Sequence, residues 1–193
     1  MFMSDFPLIA VTDAVSCPRP LLEQITRLAA SPLRPAAILL RAKALKSADY
    51  QALAAAANKI CIENNIPLIL HSNWQLANEL NINKLHLPLA LLRTLPQNER
   101  KNFTWLSTSV HSVSEAKKAQ ALGATVLIAG HIYATQCKPG LAPRGLEFLQ
   151  AAANAVHLPV YAIGGIAFDT LQHAELKAYG ARGACVMSAY MRL

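Results

Sequence analysis

The sequence repeats one arrangement eight times: a short apolar run, a polar loop and a stretch whose apolar residues have helical spacing. The runs that we interpret as strands are LIAV (8–11), AILLR (37–41), LILH (68–71), KLHL (84–87), WLSTS (105–109), TVLIA (125–129), PVYAI (159–163) and ACVMS (184–188). Most are continuously apolar, as is typical of parallel strands buried on both faces. This pattern predicts an α/β protein with a (β/α)8 TIM barrel, forming a single domain over residues 1–193.

The alternative fold is an open, doubly wound sheet. Eight strands favour the barrel, because an open sheet in a chain of this length would more often have five or six. The barrel is compact, with about 24 residues per unit against the roughly 250 residues of a typical one. Only AYMRL follows the eighth strand, so we expect a short final helix. Part of the outer wall would then be bare, and a homodimer could cover it.

Two of the predicted helices carry recognisable end signals. Ser47 is placed to cap the helix that follows the second strand. Ser112 and Glu115 have the spacing of a capping box, and Gly123 stands where a helix C-cap is expected.

The composition excludes several classes of protein. The chain has 53% apolar and 15% charged residues, which is typical of a globular protein, and no apolar run is long enough to cross a membrane. The formal charge of +7 comes from dispersed residues without interleaved aromatics, so we expect no nucleic-acid partner. The excess charge either forms a basic surface or serves a pocket for anionic small molecules.

Cysteine placement and the first residues indicate a cytoplasmic protein. Cys17, Cys61, Cys137 and Cys185 lie far apart without paired spacing, which favours reduced thiols. The opening MFMSDFPLIAV lacks a basic region and has Asp5 before its short apolar stretch, so no signal peptide is expected.

Polar side chains and glycines follow the predicted strands. They are Thr12 and Asp13, Arg41 and Lys43, His71 to Asn73, His86, Ser109 and His111, His131 with Lys138, Gly164 and Gly165, and Met187 with Ser188. The carboxyl ends of barrel strands meet at one rim, where active sites lie. Units seven and eight of such barrels commonly bind phosphate through backbone N–H groups, so Gly164, Gly165 and Ser188 predict a phosphate-bearing small-molecule ligand.

Several segments, in order along the chain, resemble the thiamine phosphate synthase and TenI superfamily. They are LIAVTD, ILLRAK, LIL with a polar triplet, LHL, STSVHS, GATVLIAGHIYATQCKPGLAPRGLEFL, PVYAIGGI and ACVMSAY. Residues 123–146 are the most specific part. Gly130, His131, Tyr133, Thr135, Cys137, Lys138 and Gly140 follow the form of the TenI branch, the thiazole tautomerases, rather than the loop of the synthases.

The resemblance implies a site for a thiazole carboxylate phosphate. Gly165 with the backbone of Met187 and Ser188 would hold the phosphate. The positions that hold diphosphate in synthases are matched by Arg41, Lys43, Ser109 and Lys138, with Thr135 in the same loop. His131 matches the histidine credited with proton transfer in tautomerases, and an imidazole can accept and donate protons near neutral pH. The expected lining of the pocket is His71, His111, Tyr133 and Cys137.

The sequence departs from the synthase pattern at the magnesium positions. Synthases have acidic residues after strands three and four, whereas this chain reads HSNWQ and LPLAL, with Ser72 in the place of an aspartate. Magnesium prefers hard oxygen ligands, so these segments argue against a synthase. Ala42 replaces the glutamate usually found between Arg41 and Lys43. The histidines near strand ends lack the companions of a zinc site, so we expect neither a metal nor another cofactor.

We therefore expect an isomerase, a thiazole tautomerase that moves a proton through His131. Two alternatives stay open: a non-catalytic protein that binds thiazole or thiamine phosphates, and a thiamine phosphate synthase.

Overall fold

Eight parallel strands, each paired with its neighbours in the chain, close into one barrel. The computed structural model describes residues 6–193; Asp5, which entered the signal-peptide argument, lies outside them. The strands are β1 (Leu8–Val11), β2 (Ala37–Leu40), β3 (Leu68–His71), β4 (Lys84–Pro88), β5 (Trp105–Val110), β6 (Val126–Gly130), β7 (Val160–Ile163) and β8 (Gly183–Val186). The predicted barrel is confirmed, and the open sheet is excluded because β1 pairs with β8.

Helices alternate with the strands and cover the outside of the barrel. They are α1 (Leu21–Ala30), α2 (Ser47–Glu63), α3 (Trp74–Glu79), α4 (Leu89–Thr94), α5 (Gln97–Arg100), α6 (Val113–Ala121), α7 (Gly145–Asn154), α8 (Thr170–Ala178) and α9 (Ser188–Arg192). Among residues 6–193, no helix combines the length and the apolar character that crossing a bilayer requires.

Alternating side chains build two apolar cores, one on each side of the sheet. Ile9, Val11, Leu39, Ile69 and Ile128 belong to the inner core, which fills the barrel. Their neighbours along the strands, such as Ala10, Leu40 and Leu127, belong to the outer core beneath the helices. Both faces of each strand are therefore buried, which is why the strand sequences are continuously apolar.

The end signals of the helices are confirmed in part. Ser112 caps α6, accepting the N–H of Glu115 at 3.1 Å, and Gly123 follows the helix with a φ of 82°. The Glu115 carboxylate accepts the N–H of His111 at 2.6 Å rather than that of Ser112. The prediction for Ser47 is wrong, because Lys46 is the cap and Ser47 is the first helical residue.

The last helix is short, as expected, and it is tied to the first one. The buried amide of Gln24 in α1 donates to the carbonyl of Tyr190 in α9 at 2.6 Å. The Tyr190 ring also packs edge-on against Phe168, with 4.8 Å between ring centroids. These contacts cover the junction of β8 and β1 with only five helical residues. The expectation of a homodimer stays a prediction.

Ser112→Ala should destabilise the fold by about 1 kcal/mol, because the first turn of α6 loses its side-chain acceptor. Urea unfolding followed by circular dichroism would measure the loss. Ser114→Ala, at the second residue of the same helix, is the matched control. It should change the free energy of unfolding much less, since Ser114 is exposed. Equal effects of both substitutions would show that the cap contributes nothing.

Candidate active site

A set of polar side chains from the ends of β2 to β5 lines one side of the barrel mouth. We call this set the polar arc; it consists of Arg41, Lys43, His71, His86 and Ser109. Alternation of side chains along the strands brings its members together. His86 and Ser109 lie within β4 and β5, His71 ends β3, and Arg41 and Lys43 follow β2.

Arg41 is fixed at the end of β2 by two neighbouring residues. Its guanidinium donates to the carboxylate of Asp13 with an Nη1–Oδ1 distance of 2.5 Å. The buried hydroxyl of Thr12 accepts the Arg41 N–H at 2.8 Å and donates to the Arg41 carbonyl at 2.9 Å. Both partners come from the end of β1, so the loop after β1 holds the arginine in place. Lys43, two residues further on, is exposed.

His86 is the buried centre of the polar arc, with 4% of its surface exposed. Its Nδ1 lies 3.0 Å from the Ser107 hydroxyl, and its Nε2 lies 3.1 Å from the Ser109 hydroxyl. The His71 ring packs beside it, with 5.5 Å between centroids. His71 Nδ1 lies 2.7 Å from the Ser72 hydroxyl. The two imidazoles thus share one wall and are each oriented by serine hydroxyls.

Both imidazoles are neutral at physiological pH. Burial, together with the positive charges of Lys43 and Arg41, lowers the pKa of His71 to about 4. Burial also lowers the pKa of His86 to about 3, assisted by His71 and Lys43. Positive charge in the polar arc therefore resides on Arg41 and Lys43, while the histidines act as hydrogen-bonding groups.

Tyr50 holds the ends of β2 and β3 together from the outside. The two strands stop pairing at Leu40 and Leu70. Beyond that point the Tyr50 hydroxyl lies 3.0 Å from the Leu40 carbonyl and accepts the His71 N–H at 3.2 Å. Burial raises the pKa of this phenol to about 12, so it stays protonated and can donate. Tyr50 is not among the residues predicted from the sequence, because a tyrosine within a helix gives no sequence signal that its hydroxyl joins two strand ends.

The loop from 131 to 144 forms the opposite side of the mouth. Tyr133 donates to the carboxylate of Glu175 in α8 at 2.6 Å, and burial together with that carboxylate raises the pKa of the phenol. Cys137 Sγ lies 3.4 Å from the Ser188 hydroxyl. Thr135 supports the turn by accepting the Cys137 N–H at 3.3 Å, and Lys138 is exposed beside it. The loop therefore reaches the start of α9, beside Met187 and Ser188.

His131 lies beneath this loop rather than on its surface. It is 3% exposed, and its Nε2 lies 3.3 Å from the Leu141 carbonyl. Its buried Nδ1 has no hydrogen-bond partner among residues 6–193. On the other side of the same strand end, His111 Nδ1 donates to the Gly130 carbonyl at 2.7 Å. Both histidines thus contact backbone carbonyls around the end of β6.

Gly164 and Gly165 are required by the path of the loop. Their φ angles are 105° and 69°, in the region that favours glycine. A Cβ on Gly164 would lie 2.3 Å from the His131 Cβ, and one on Gly165 would lie 2.5 Å from the Ala134 carbonyl oxygen. The Tyr133 N–H also donates to the Gly164 carbonyl at 3.0 Å. The glycine pair and the loop therefore pack as one unit.

The donor set at the ends of β3 and β4 does not fit magnesium. These positions supply the imidazoles of His71 and His86 and the hydroxyl of Ser72, while Asp13 is paired with Arg41. Magnesium takes hard oxygen ligands, usually with one or two carboxylates. Within the described ranges, moreover, no cluster of three or more histidine, cysteine or acidic side chains could hold a metal ion.

Comparisons with known proteins agree on one family. Residues 8–190 match the profile of the thiamine monophosphate synthase family. The thiamine-phosphate synthase of Syntrophomonas wolfei is 30% identical over 198 aligned positions, covering 99% of this chain and 91% of the relative. That of Clostridium tetani is 30% identical over 159 positions, covering 80% of this chain and 73% of the relative.

Solved structures show the same fold. A thiamine phosphate pyrophosphorylase from Pyrococcus furiosus superposes with a TM-score of 0.79 at 23% identity, covering 98% of this chain and 89% of that one. FabK from Thermotoga maritima superposes with a TM-score of 0.71 at 20% identity, covering 96% of this chain and 59% of that one. At these identities the likeness concerns the barrel alone.

These comparisons confirm the superfamily and correct the predicted activity. The expectation of a thiazole tautomerase, an isomerase, is wrong, because relatives that match most of the chain are named thiamine-phosphate synthase. The same names overturn the argument that missing magnesium carboxylates exclude a synthase. The prediction relied on the resemblance of the segment around His131 to the TenI branch, and in the structure His131 is enclosed by Gly164 and Leu141.

His86→Gln should make the fold less sensitive to acid. The folded protein keeps this imidazole neutral down to a pKa of about 3, whereas the unfolded chain binds a proton near the ordinary value of 6.5. Falling pH therefore stabilises the unfolded state, by roughly 1 kcal/mol for this one group between pH 7 and pH 5.5. Glutamine does not titrate. Urea unfolding at the two pH values should show a loss smaller by about that amount in the variant, and an equal loss would contradict the neutral state of His86.

Tyr50→Phe should destabilise the fold by about 1–3 kcal/mol, because the Leu40 carbonyl and the His71 N–H lose a shared partner. Tyr179→Phe is the matched control, since among residues 6–193 no polar group contacts its hydroxyl. The two free energies of unfolding can be compared by urea titration. A Tyr50 variant as stable as the Tyr179 variant would show that this hydroxyl does not join the strand ends.

Proposed function

Because the chain belongs to the thiamine monophosphate synthase family, we propose that it is a transferase that forms thiamine phosphate. Thiamine phosphate consists of a pyrimidinylmethyl group on the ring nitrogen of a thiazole phosphate. The reaction then forms a carbon–nitrogen bond from the thiazole nitrogen to the methylene carbon. The bond from that carbon to a diphosphate oxygen breaks, and its electron pair leaves with diphosphate.

Catalysis of this reaction requires stabilisation of the negative charge on the leaving diphosphate rather than proton transfer. No proton is gained or lost when the new bond forms, so a general base is not required. Negative charge grows on the leaving diphosphate, and fixed positive groups aimed at that charge lower the barrier. A buried His131 that contacts a backbone carbonyl is compatible with such a reaction.

The observation that carries the proposal is the pair of cations in the polar arc. Arg41 is held by Asp13 and Thr12. The positive charge of Lys43 lowers the pKa of both His71 and His86, so it acts at the same wall. Arg41 and Lys43 would bind the diphosphate, and Ser109 would donate a hydroxyl from the same wall. Thr135 and Lys138, in the loop on the opposite side, would contact the same anion from there.

The thiazole phosphate would bind on the side of Gly164, Gly165, Met187 and Ser188. This placement puts the two anions on opposite sides of the mouth, with the reacting atoms between them. Both glycines pack closely against the loop, and Gly165 is exposed. We assign the activity to the cytoplasm, since the four cysteines are free thiols, as in a reducing compartment.

Lys43→Ala should lower kcat/KM for thiamine phosphate formation by roughly 10²-fold, the usual cost of one group that stabilises developing charge. Lys118→Ala is the matched control: it removes the same charge from an exposed position in the last turn of α6, at the opposite end of the barrel. Its rate should stay near the wild-type rate. Product formation and diphosphate release are both measured, in buffers with and without magnesium.

Wild-type protein that forms no thiamine phosphate in either buffer would contradict the proposed function. Binding of thiazole phosphate without turnover would then support the non-catalytic alternative. A Lys43 variant that reacts as fast as the Lys118 variant would show that the polar arc does not bind the leaving group.

A further inference from the structure

The turn after β3 has a fixed backbone that directs Ser72 toward His71. Ser72 has a φ of 67°, a left-handed conformation that is uncommon outside glycine, asparagine and aspartate. Its N–H donates to the His86 carbonyl at 2.9 Å, and the next N–H, that of Asn73, donates to the His71 carbonyl at 3.0 Å. The Asn73 side chain then caps α3 through the N–H of Leu76. The backbone on both sides of Ser72 is therefore held in place.

In this position Ser72 orients the imidazole instead of offering a ligand to a cation. Its hydroxyl lies 2.7 Å from His71 Nδ1. When the hydroxyl donates to Nδ1, the proton of the neutral ring lies on Nε2. That nitrogen has no hydrogen-bond partner in the part of the chain that the structure describes. Both nitrogens of the adjacent His86 are taken by Ser107 and Ser109.

The charges around this ring suit an anion and repel a divalent cation. Lys43 and Arg41 both act on His71 and lower its pKa. Asp13, the carboxylate of this group, is engaged by Arg41. His86 is neutral and faces His71 from β4. The groups that face the ring are thus two cations, a neutral imidazole and a hydroxyl.

We propose that this site binds diphosphate without a divalent cation, through Arg41, Lys43 and the Nε2–H of His71. The inference rests on the proposed function for the identity of the anion. After β3 and β4, where synthases have acidic residues for magnesium, this chain has Ser72 beside His71 and the apolar segment LPLAL, while Arg41 and Lys43 remain to meet the diphosphate. The site then recognises the metal-free anion, whose full charge interacts with Arg41 and Lys43.

A consequence is that magnesium competes with the protein for the ligand. The ion binds diphosphate in solution and neutralises part of its charge, and Asp13, the carboxylate of this group, is engaged by Arg41 rather than open to the ion. Calorimetric titration of the wild-type protein with inorganic diphosphate should therefore give tighter binding in chelator than in excess magnesium. Tighter binding in magnesium would overturn the proposal, and so would a failure to bind diphosphate in both buffers.

Ser72→Asp tests the same idea in the opposite direction. Aspartate tolerates the left-handed backbone, so the turn is retained. Its negative charge should weaken diphosphate binding in chelator by about tenfold, equivalent to 1.4 kcal/mol, and added magnesium should restore much of the loss. Ser72→Asn, with the same shape and no charge, is the control and should keep the wild-type preference for chelator. Equal behaviour of the Asp and Asn variants would overturn the assignment of Ser72 to this site.

The binding and activity measurements distinguish failure of the metal-free site from failure of the proposed function. Thiamine phosphate formed only when magnesium is present, together with tighter diphosphate binding in magnesium, would overturn the metal-free site and leave the proposed function intact. Diphosphate bound more tightly in chelator by a protein that makes no product would support the site and contradict the proposed function.

Discussion

Closure of the sheet is the constraint on which the other features of this protein depend. Since β1 pairs with β8, no strand has a free edge, and side chains alternate between the two apolar cores around the whole circumference. Buried polar groups such as His86 and Ser107 lie within their strands, and the other members of the polar arc lie near the strand ends. All strands are parallel, so these ends lie at one mouth, and residues far apart in the chain become neighbours there. His71 and His86 are adjacent for this reason, and so are Arg41 and Asp13.

The two sides of the mouth are built in different ways. In the polar arc, His71, His86 and Ser109 lie on strands and Arg41 follows β2 directly. Hydrogen bonds with Thr12, Tyr50 and Ser107 hold Arg41, His71 and His86 respectively. The opposite side is carried by the loop from 131 to 144, which packs against Gly164 and reaches Glu175 and Ser188. A group attached to a strand keeps its position to a fraction of an ångström, which suits the stabilisation of a leaving group. A loop can adjust to the shape of a substrate.

The barrel could be predicted from the sequence because buried parallel strands are continuously apolar, and each run from LIAV to the eighth strand falls on an observed strand within one or two residues. The polar residues at the rim followed from the same argument. The roles could not be predicted in the same way. The role expected of His131 comes from the resemblance to the TenI branch, whereas its enclosure by Gly164 and Leu141 depends on the folded loop. The neutral state of His86 depends on burial, and the contribution of Tyr50 depends on where β2 and β3 separate.

The pairing of β1 with β8 also determines when the protein can first adopt its fold during synthesis. β1 occupies residues 8–11, and its second neighbour, β8, occupies residues 183–186. While the chain grows on the ribosome, every unit up to the seventh leaves two open strand edges and an uncovered apolar interior. Such edges are prone to pair with other chains. The hydrogen bond between Gln24 and Tyr190 can form only after Tyr190 has been synthesised. The first seven units must therefore wait, partly assembled, until β8 and the helix after it have been made.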